Sequence, residues 1–343
     1  MPMGWKTTAK AAIESSYGTS KAGSASWTWL EFVSEGIESN RNPILSRALT
    51  QIQETRKVAP GIFEDAGALE LELGPENACN LLYCAFGALS TTTLGSYTPN
   101  LYKHAFTLGD TLPSFEVKMD TRIAASSNQV IRHLCGVTAD TIGFTGAMDN
   151  FLMLSLGVRA QKEGPVDEAI GSPSFSTAMP FIPIAGSITI GGEAWTYADN
   201  FHLAISRNPH YRPRWGSQFT EGAAPGRAVV ELTWNLYAES EQEILRFLGD
   251  YDDTMATRQT PEDVLETADI HINAENGEEA GTDQPFTFLL DLPRVIWTRA
   301  GPFIEGDGVI RQPMTGIAIY NSGDAFGVKC EIVNTLDNAS IIA

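Results

Sequence analysis

Apolar and polar residues alternate along most of the chain. In PSFEVKMD, Pro113 to Asp120, Phe115, Val117 and Met119 fall on one side and Glu116, Lys118 and Asp120 on the other. A period of two predicts a half-buried β-strand. ALELELG sets Leu69, Leu71 and Leu73 against Glu70 and Glu72, and RAVVELTWNLY sets Val230, Leu232, Trp234 and Leu236 against Glu231, Thr233 and Asn235. LMLSLGVRAQ, QPFTFLLD and FGVKCEIVN read as further strands. Two segments follow the helical period instead. GPENACNLLYCAFGAL has Pro75 and Glu76 in a first-turn position, Cys79, Leu82, Tyr83 and Phe86 at helical spacing, and Gly87 as its exit. ESEQEILRFLGD has Ser240 as N-cap, Glu243 three residues on, and Gly249 as its end. The class predicted is mainly β with one short helix in each half.

The order of elements recurs. Gly61-x-Phe63-Glu64 precedes LELEL, a helix ending AFG, a long loop, FEVKMD and LMLSLGVRA; Gly216-x-x-Phe219-x-Glu221 precedes VVELTWNLY, a helix ending FLG, a long loop, FTFLLD and FGVKCEIVN. This predicts a duplicated domain: an N-terminal arm over 1–26, a first domain over 27–180 and a second over 181–343. Upstream of Gly61 and Gly216 no register is evident. The connections from Gly87 to Pro113 and from Asp250 to Gln284 read as long loops, with NAENGEEAGTD as a loop tip.

Bulk properties narrow the function. A length of 343 residues suits two cores. No apolar run reaches the roughly 18 residues of a membrane span, and the N-terminus lacks the apolar core of a secretion signal, so synthesis in a cytoplasm is expected. Cys79, Cys84, Cys135 and Cys330 read as buried small hydrophobes, without the close pairs of a zinc site. His104, His133, His202, His210 and His271 are scattered. P-loop, G-x-S-x-G and H-E-x-x-H motifs are absent. Neither a catalytic residue, a metal nor a cofactor is expected. The net charge is −19, and the acid concentrates between Glu239 and Asp283. Without a basic stripe to neutralise phosphates, tight nucleic-acid binding is excluded.

Taken in order, AAIESSYGTS, WLEFVSEGI, GALELELGPENACNLLYCAFGAL, FTLGDTLPSFEVKMD, CGVTADTIGF, NFHLAISRNP, GSQFTEG, LPRVIWTRAGPFIEGDGVI and VKCEIVN resemble the tail tube proteins of long-tailed bacteriophages, in particular the larger two-domain type. The resemblance spans nearly the whole chain. It implies two tandem β-sandwich or barrel-like domains, each with one flanking helix, whose sheets join edge to edge around a ring. It further implies trimers with pseudo-sixfold symmetry stacked into a tube, a flexible non-contractile tail, and a virion location. The partners implied are other copies of the chain, a tape measure protein, and tail terminator or tail tip proteins, with DNA passing through unbound.

Closing a sheet into a ring removes its edges, and a polar strand face then meets the lumen. Glu70, Glu72, Glu116, Asp120 and Glu231 are the candidates for an acidic wall that repels DNA over about 8 Å at physiological salt. A two-domain module binding carbohydrate or a virion surface through Trp27, Trp29, Trp195, Trp215 or Trp297 is the alternative. A hydrolase with carboxylates paired in space has no residue pointing to it.

Overall fold

The computed structural model describes residues 6–20, 27–49, 51, 53–95, 97–120, 131–165, 170–195, 198–237, 242–249, 265–281, 284–301 and 310–342. The first stretch of chain forms β1 (Thr8–Ile13), β2 (Thr28–Leu30), β3 (Phe32–Glu35), β4 (Glu38–Arg41), β5 (Ile44–Leu45), β6 (Val58–Ala59), β7 (Phe63–Glu72), α1 (Cys79–Phe86), β8 (Gly87–Leu94), β9 (Leu101–Leu108), β10 (Phe115–Asp120), β11 (Ile131–Ala147), β12 (Met153–Ala160) and β13 (Lys162–Pro165). There follow β14 (Ile182–Ile190), β15 (Glu193–Trp195), β16 (Ala198–Ser206), β17 (His210–Pro213), β18 (Thr220–Ala224), β19 (Val229–Tyr237), α2 (Gln242–Leu248), β20 (Ala268–Gly281), β21 (Gln284–Arg299), β22 (Arg311–Ala318), β23 (Lys329–Asn334) and α3 (Asn338–Ile342). The protein is mainly β, with one large antiparallel sheet and three short helices among the described residues.

The pairing of strands is the same in the two stretches. β1 pairs with β2 and β10, β10 with β11, β11 with β12 and β13, β12 with β7, and β7 with β3 and β4. Likewise β14 pairs with β15 and β20, β20 with β21, β21 with β22 and β23, β22 with β19, and β19 with β16. The small hairpins β5–β6 and β17–β18 occupy the same place in the order. The hairpin β8–β9 has no counterpart among the described residues.

This pairing corrects two strand equivalences. FEVKMD is β10 and corresponds to β20, whereas FTFLLD lies in β21, the counterpart of β11. LMLSLGVRA is β12 and corresponds to β22, whereas KCEIVN is β23, the counterpart of β13. One alternating strand looks much like another in sequence; the neighbours across the sheet distinguish them.

Two edge pairings join the stretches. The distal half of β11 takes β16, from Thr141 opposite Ser206 to Ala147 opposite Asn200. β23 lies against β9, with Cys330 opposite Phe106. The apolar faces pack into one cluster. Phe144 of β11 meets Phe288 of β21 at 5.6 Å between centroids, and Phe181 meets Phe288 at 5.7 Å.

Local chemistry explains where sequence expectations shifted. α1 begins at Cys79, one turn later than Pro75 suggested. Asn77 holds a preceding turn: its side chain accepts from the Gly74 N–H (3.0 Å) and donates to Glu31 (2.9 Å) and to the Glu72 carbonyl (3.1 Å). Gly87 ends the helix as expected, at φ 89° with its N–H on the Tyr83 carbonyl. The Ser240 cap lies outside the described residues.

The connection after Gly87 is the β8–β9 hairpin, and NAENGEEAGTD falls largely in β20. Ile270, Ile272, Ala274 and Asn276 alternate inward there, a pattern that the interleaved acids obscure. Residues 251–264 lie outside the described residues. Within the expected N-terminal arm, residues 8–13 form β1, whose Ala9 and Ala11 are buried between β2 and β10.

Candidate functional site

β7, β12, β11, β16, β19 and β22 run side by side across both stretches, with β3 and β4 on the outer edge of β7. One face of this sheet is core: Leu69, Leu156, Ile142, Ile205 and Val230 are buried. The other face carries mostly hydroxyl, acidic and small side chains, with Met153, His202 and Ile317 among them. One row across it reads Ser34, Glu70, Ser155, Gly143, Ala204, Glu231, Ile317. The next reads Glu72, Met153, Thr145, His202, Thr233, Thr315.

Glu70 is exposed and accepts from Ser34 Oγ (2.8 Å). Glu231 is exposed and Glu72 half-buried. His202 Nδ1 meets Thr145 Oγ1 at 2.8 Å. Arg159, a cation of this face, is held by Glu64 (3.1 Å) and lies over the Tyr211 ring. Three of the five acidic candidates therefore share one open polar surface.

Glu116 and Asp120 do not join them; both are fully buried. β10 is enclosed by β1 and β11, and Ser20, at the end of the turn that carries Glu14, reaches Glu116 on its polar side. Glu116 accepts from Ser20 Oγ (2.8 Å) and lies 2.7 Å from His133 Nε2. Beside it Glu14 accepts from Ser114 Oγ (2.6 Å) and from the N–H groups of Gly136 (2.8 Å) and Gly18 (2.9 Å). Burial raises the Glu14 pKa against the lowering effect of these donors. Alternation alone cannot reveal that a loop folds over the polar side of a strand.

The turn also encloses a trio that the sequence reading missed. Glu116, His133 and Cys135 bring their ligating atoms within 4.8 Å of one another. His133-x-Cys135 on β11 was the available signal, and β10 supplies the acid. Burial pushes the Cys135 thiol up to about 11, which keeps it protonated, and the carboxylate already has His133 and Ser20. Glu116 and His133 form a hydrogen-bonded pair, and Cys135 Sγ lies 3.4 Å from His133 Nε2.

The tryptophans divide by environment. Trp297 is buried and donates to Glu243 (2.7 Å), while Trp27 and Trp29 stack under Lys10. Trp195 is half-buried and lines an apolar cleft of about 270 Å³ with Met148, Ile184 and Phe201. Trp215 alone of the five is fully exposed.

Residues 4–318 match the family model of the phage tail tube protein. The chain belongs to the phage tail tube protein family. No individually curated protein matches it. Membership makes it a structural component of the tail that self-associates into a tube. Among the described residues no helix is long and apolar enough to cross a membrane.

Proposed function

We propose that this tail tube protein closes into trimeric rings of pseudo-sixfold symmetry, each chain supplying two duplicated domains that meet near residue 180. The rings stack into the channel through which the genome leaves the capsid. The observation that carries this reading is the polar sheet face shared by both stretches of the chain, with Glu70, Glu72 and Glu231 on it. Turned to a lumen, short hydroxyl and acidic side chains repel a polyanion with one charge per ~1.7 Å of axis and present no cationic row to hold it. The chain performs this role without catalysis. Its partners in the virion are a tape measure protein and terminator or tip proteins at the tube ends. It is made in the host cytoplasm and serves a non-contractile tail.

Electron microscopy of tubes grown from the purified protein tests the reading. Rings of three chains with Glu70 and Glu231 facing the hole are expected, and a map that puts both on the outer surface overturns it. As a second readout, tubes of the Glu70→Lys, Glu231→Lys variant should retain short duplex DNA at low salt and release it as salt rises, whereas wild-type tubes retain none.

A further inference from the structure

The seam between the two stretches of the chain carries a register that the free edges of the same chain can reproduce. β16 adds to the distal half of β11, with Thr141 opposite Ser206. One step further the Arg207 N–H donates to the Asp140 carbonyl (2.8 Å). The Arg207 side chain is buried. It donates from Nη1 to the Phe86 carbonyl at the end of α1 (2.9 Å) and from Nη2 to the Gly109 carbonyl (2.8 Å). A cation thus sits at the negative end of a helix.

The strand register, the arginine and the helix end of this seam each have a counterpart; the Gly109 carbonyl has none among the described residues. β11 breaks its register with β12 between Ala139 and Thr141, and β21 breaks its register with β22 between Trp297 and Arg299, so Arg299 stands where Thr141 stands. β16 breaks its register with β19 between Ala198 and Asn200, and the β3–β4 edge breaks its register with β7 between Phe32 and Ser34. Asn40 therefore stands where Ser206 stands, and Arg41 where Arg207 stands. α1 and α2 end at Gly87 and Gly249, both at φ 89°.

Among the described residues β4 pairs only with β7, and beyond Val295 β21 pairs only with β22. All four residues of β4 are exposed, as are Thr298 and Arg299. Arg41 lies on the surface over the Phe63 ring.

Building on the assembly reading above, we infer that the occupant of these edges is a second copy of this chain. β4 of one copy adds antiparallel to the end of β21 of the next, with Asn40 opposite Arg299 and Ser39 opposite Ala300. The Arg41 N–H donates to the Thr298 carbonyl, and its guanidinium caps the carbonyl end of the neighbour's α2 at Leu248. The contact is head-to-tail, and the seam already present inside the chain is its template. Paired main-chain groups give the affinity, and the arginine sets the register.

Hydrogen exchange on wild-type protein tests the seam without any substitution. The amides of 38–41 and 298–300 should slow at least tenfold on going from monomer to tube. Tubes in which both segments stay fast overturn the seam and leave assembly standing. A chain that forms no tubes overturns the assembly reading and the seam with it.

Cysteine pairing tests the register. Asn40→Cys mixed with Arg299→Cys should form disulfide-linked dimers on oxidation, since all four native cysteines are buried. Thr141→Cys with Ser206→Cys in one chain is the control and should close within the monomer. Dimers absent while this control closes overturn the register. Arg41→Ala should weaken assembly at least tenfold with the monomer Tm unchanged. Assembly unaffected by Arg41→Ala overturns the capping role.

Discussion

Phe288 is the test of whether the two stretches fold as one body. It is fully buried in the middle of β21, packed on Phe144 from β11 and on Phe181. Truncation to Ala removes a phenyl ring whose space close-packed surroundings refill only in part, at a cost of about 3–5 kcal/mol. The lost ring pairs are part of that figure. At roughly 2.1 cal/mol/K of unfolding entropy per residue, a 343-residue chain has ~0.7 kcal/mol/K. The melting temperature of monomeric Phe288→Ala should fall by about 4–7 °C.

Calorimetry distinguishes the outcomes. Because residues from both stretches share one cluster, the whole endotherm should move down as a single peak. A fall of less than about 1 °C, or a split in which only one component moves, would refute the shared core. Phe288→Leu keeps most of the volume and should cost under about 1.5 kcal/mol, which separates a cavity effect from general fragility.

Gly87→Ala should cost at least the roughly 1–2 kcal/mol of a left-handed non-glycine residue, and more because its Cβ would lie 2.2 Å from the Thr111 carbonyl. Gly192→Ala, at φ 81° with open space around it, should pay only the backbone part, and equal losses in Tm would contradict this. The Glu14 pKa is raised in the folded state, so its contribution is complete below its unfolded value and is lost as pH rises through the folded one. The Tm of wild-type monomer should therefore decline more steeply than that of Glu14→Gln as pH rises above the ordinary glutamate value of 4.5; parallel curves would argue against it. Burial raises all four thiols, Cys79 to about 12 and Cys135 to about 11. A disulfide reagent at pH 8 should therefore find none reactive in the native protein and four after denaturation; one fast native thiol would disprove the burial.

Much of this fold was legible. Strict alternation marked β7, β10, β12 and β19, and the glycines at 87 and 249 marked the ends of α1 and α2, while α3 went unmarked. What escaped notice was long-range. β20 was hidden because its outward positions are acidic enough to pass for a loop. The equivalence of β10 with β20 was hidden because strands of one period resemble one another until their neighbours are known. Of the acidic candidates, Glu70, Glu72 and Glu231 were separable from Glu116 and Asp120 only by knowing that β10 lies enclosed between β1 and β11, with Ser20 reaching over to Glu116. His133 and Cys135 lie two apart on one strand, but the acid that completes the trio comes from the neighbouring strand.

The buried arginine at 207 and the last strand, β23, bear on how a ribosome delivers this chain. The Phe86 carbonyl accepts from the Gly109 N–H within the first stretch, whereas the Arg207 guanidinium that also donates to it arrives 121 positions later. β9 obtains its outer neighbour only when residues 329–334 have been made. The nascent first stretch thus waits with an open strand edge, the condition in which sheets pair with strangers. Only with residues 329–334 is that edge covered, and β4 and the end of β21 are then among the edges still open in the described residues.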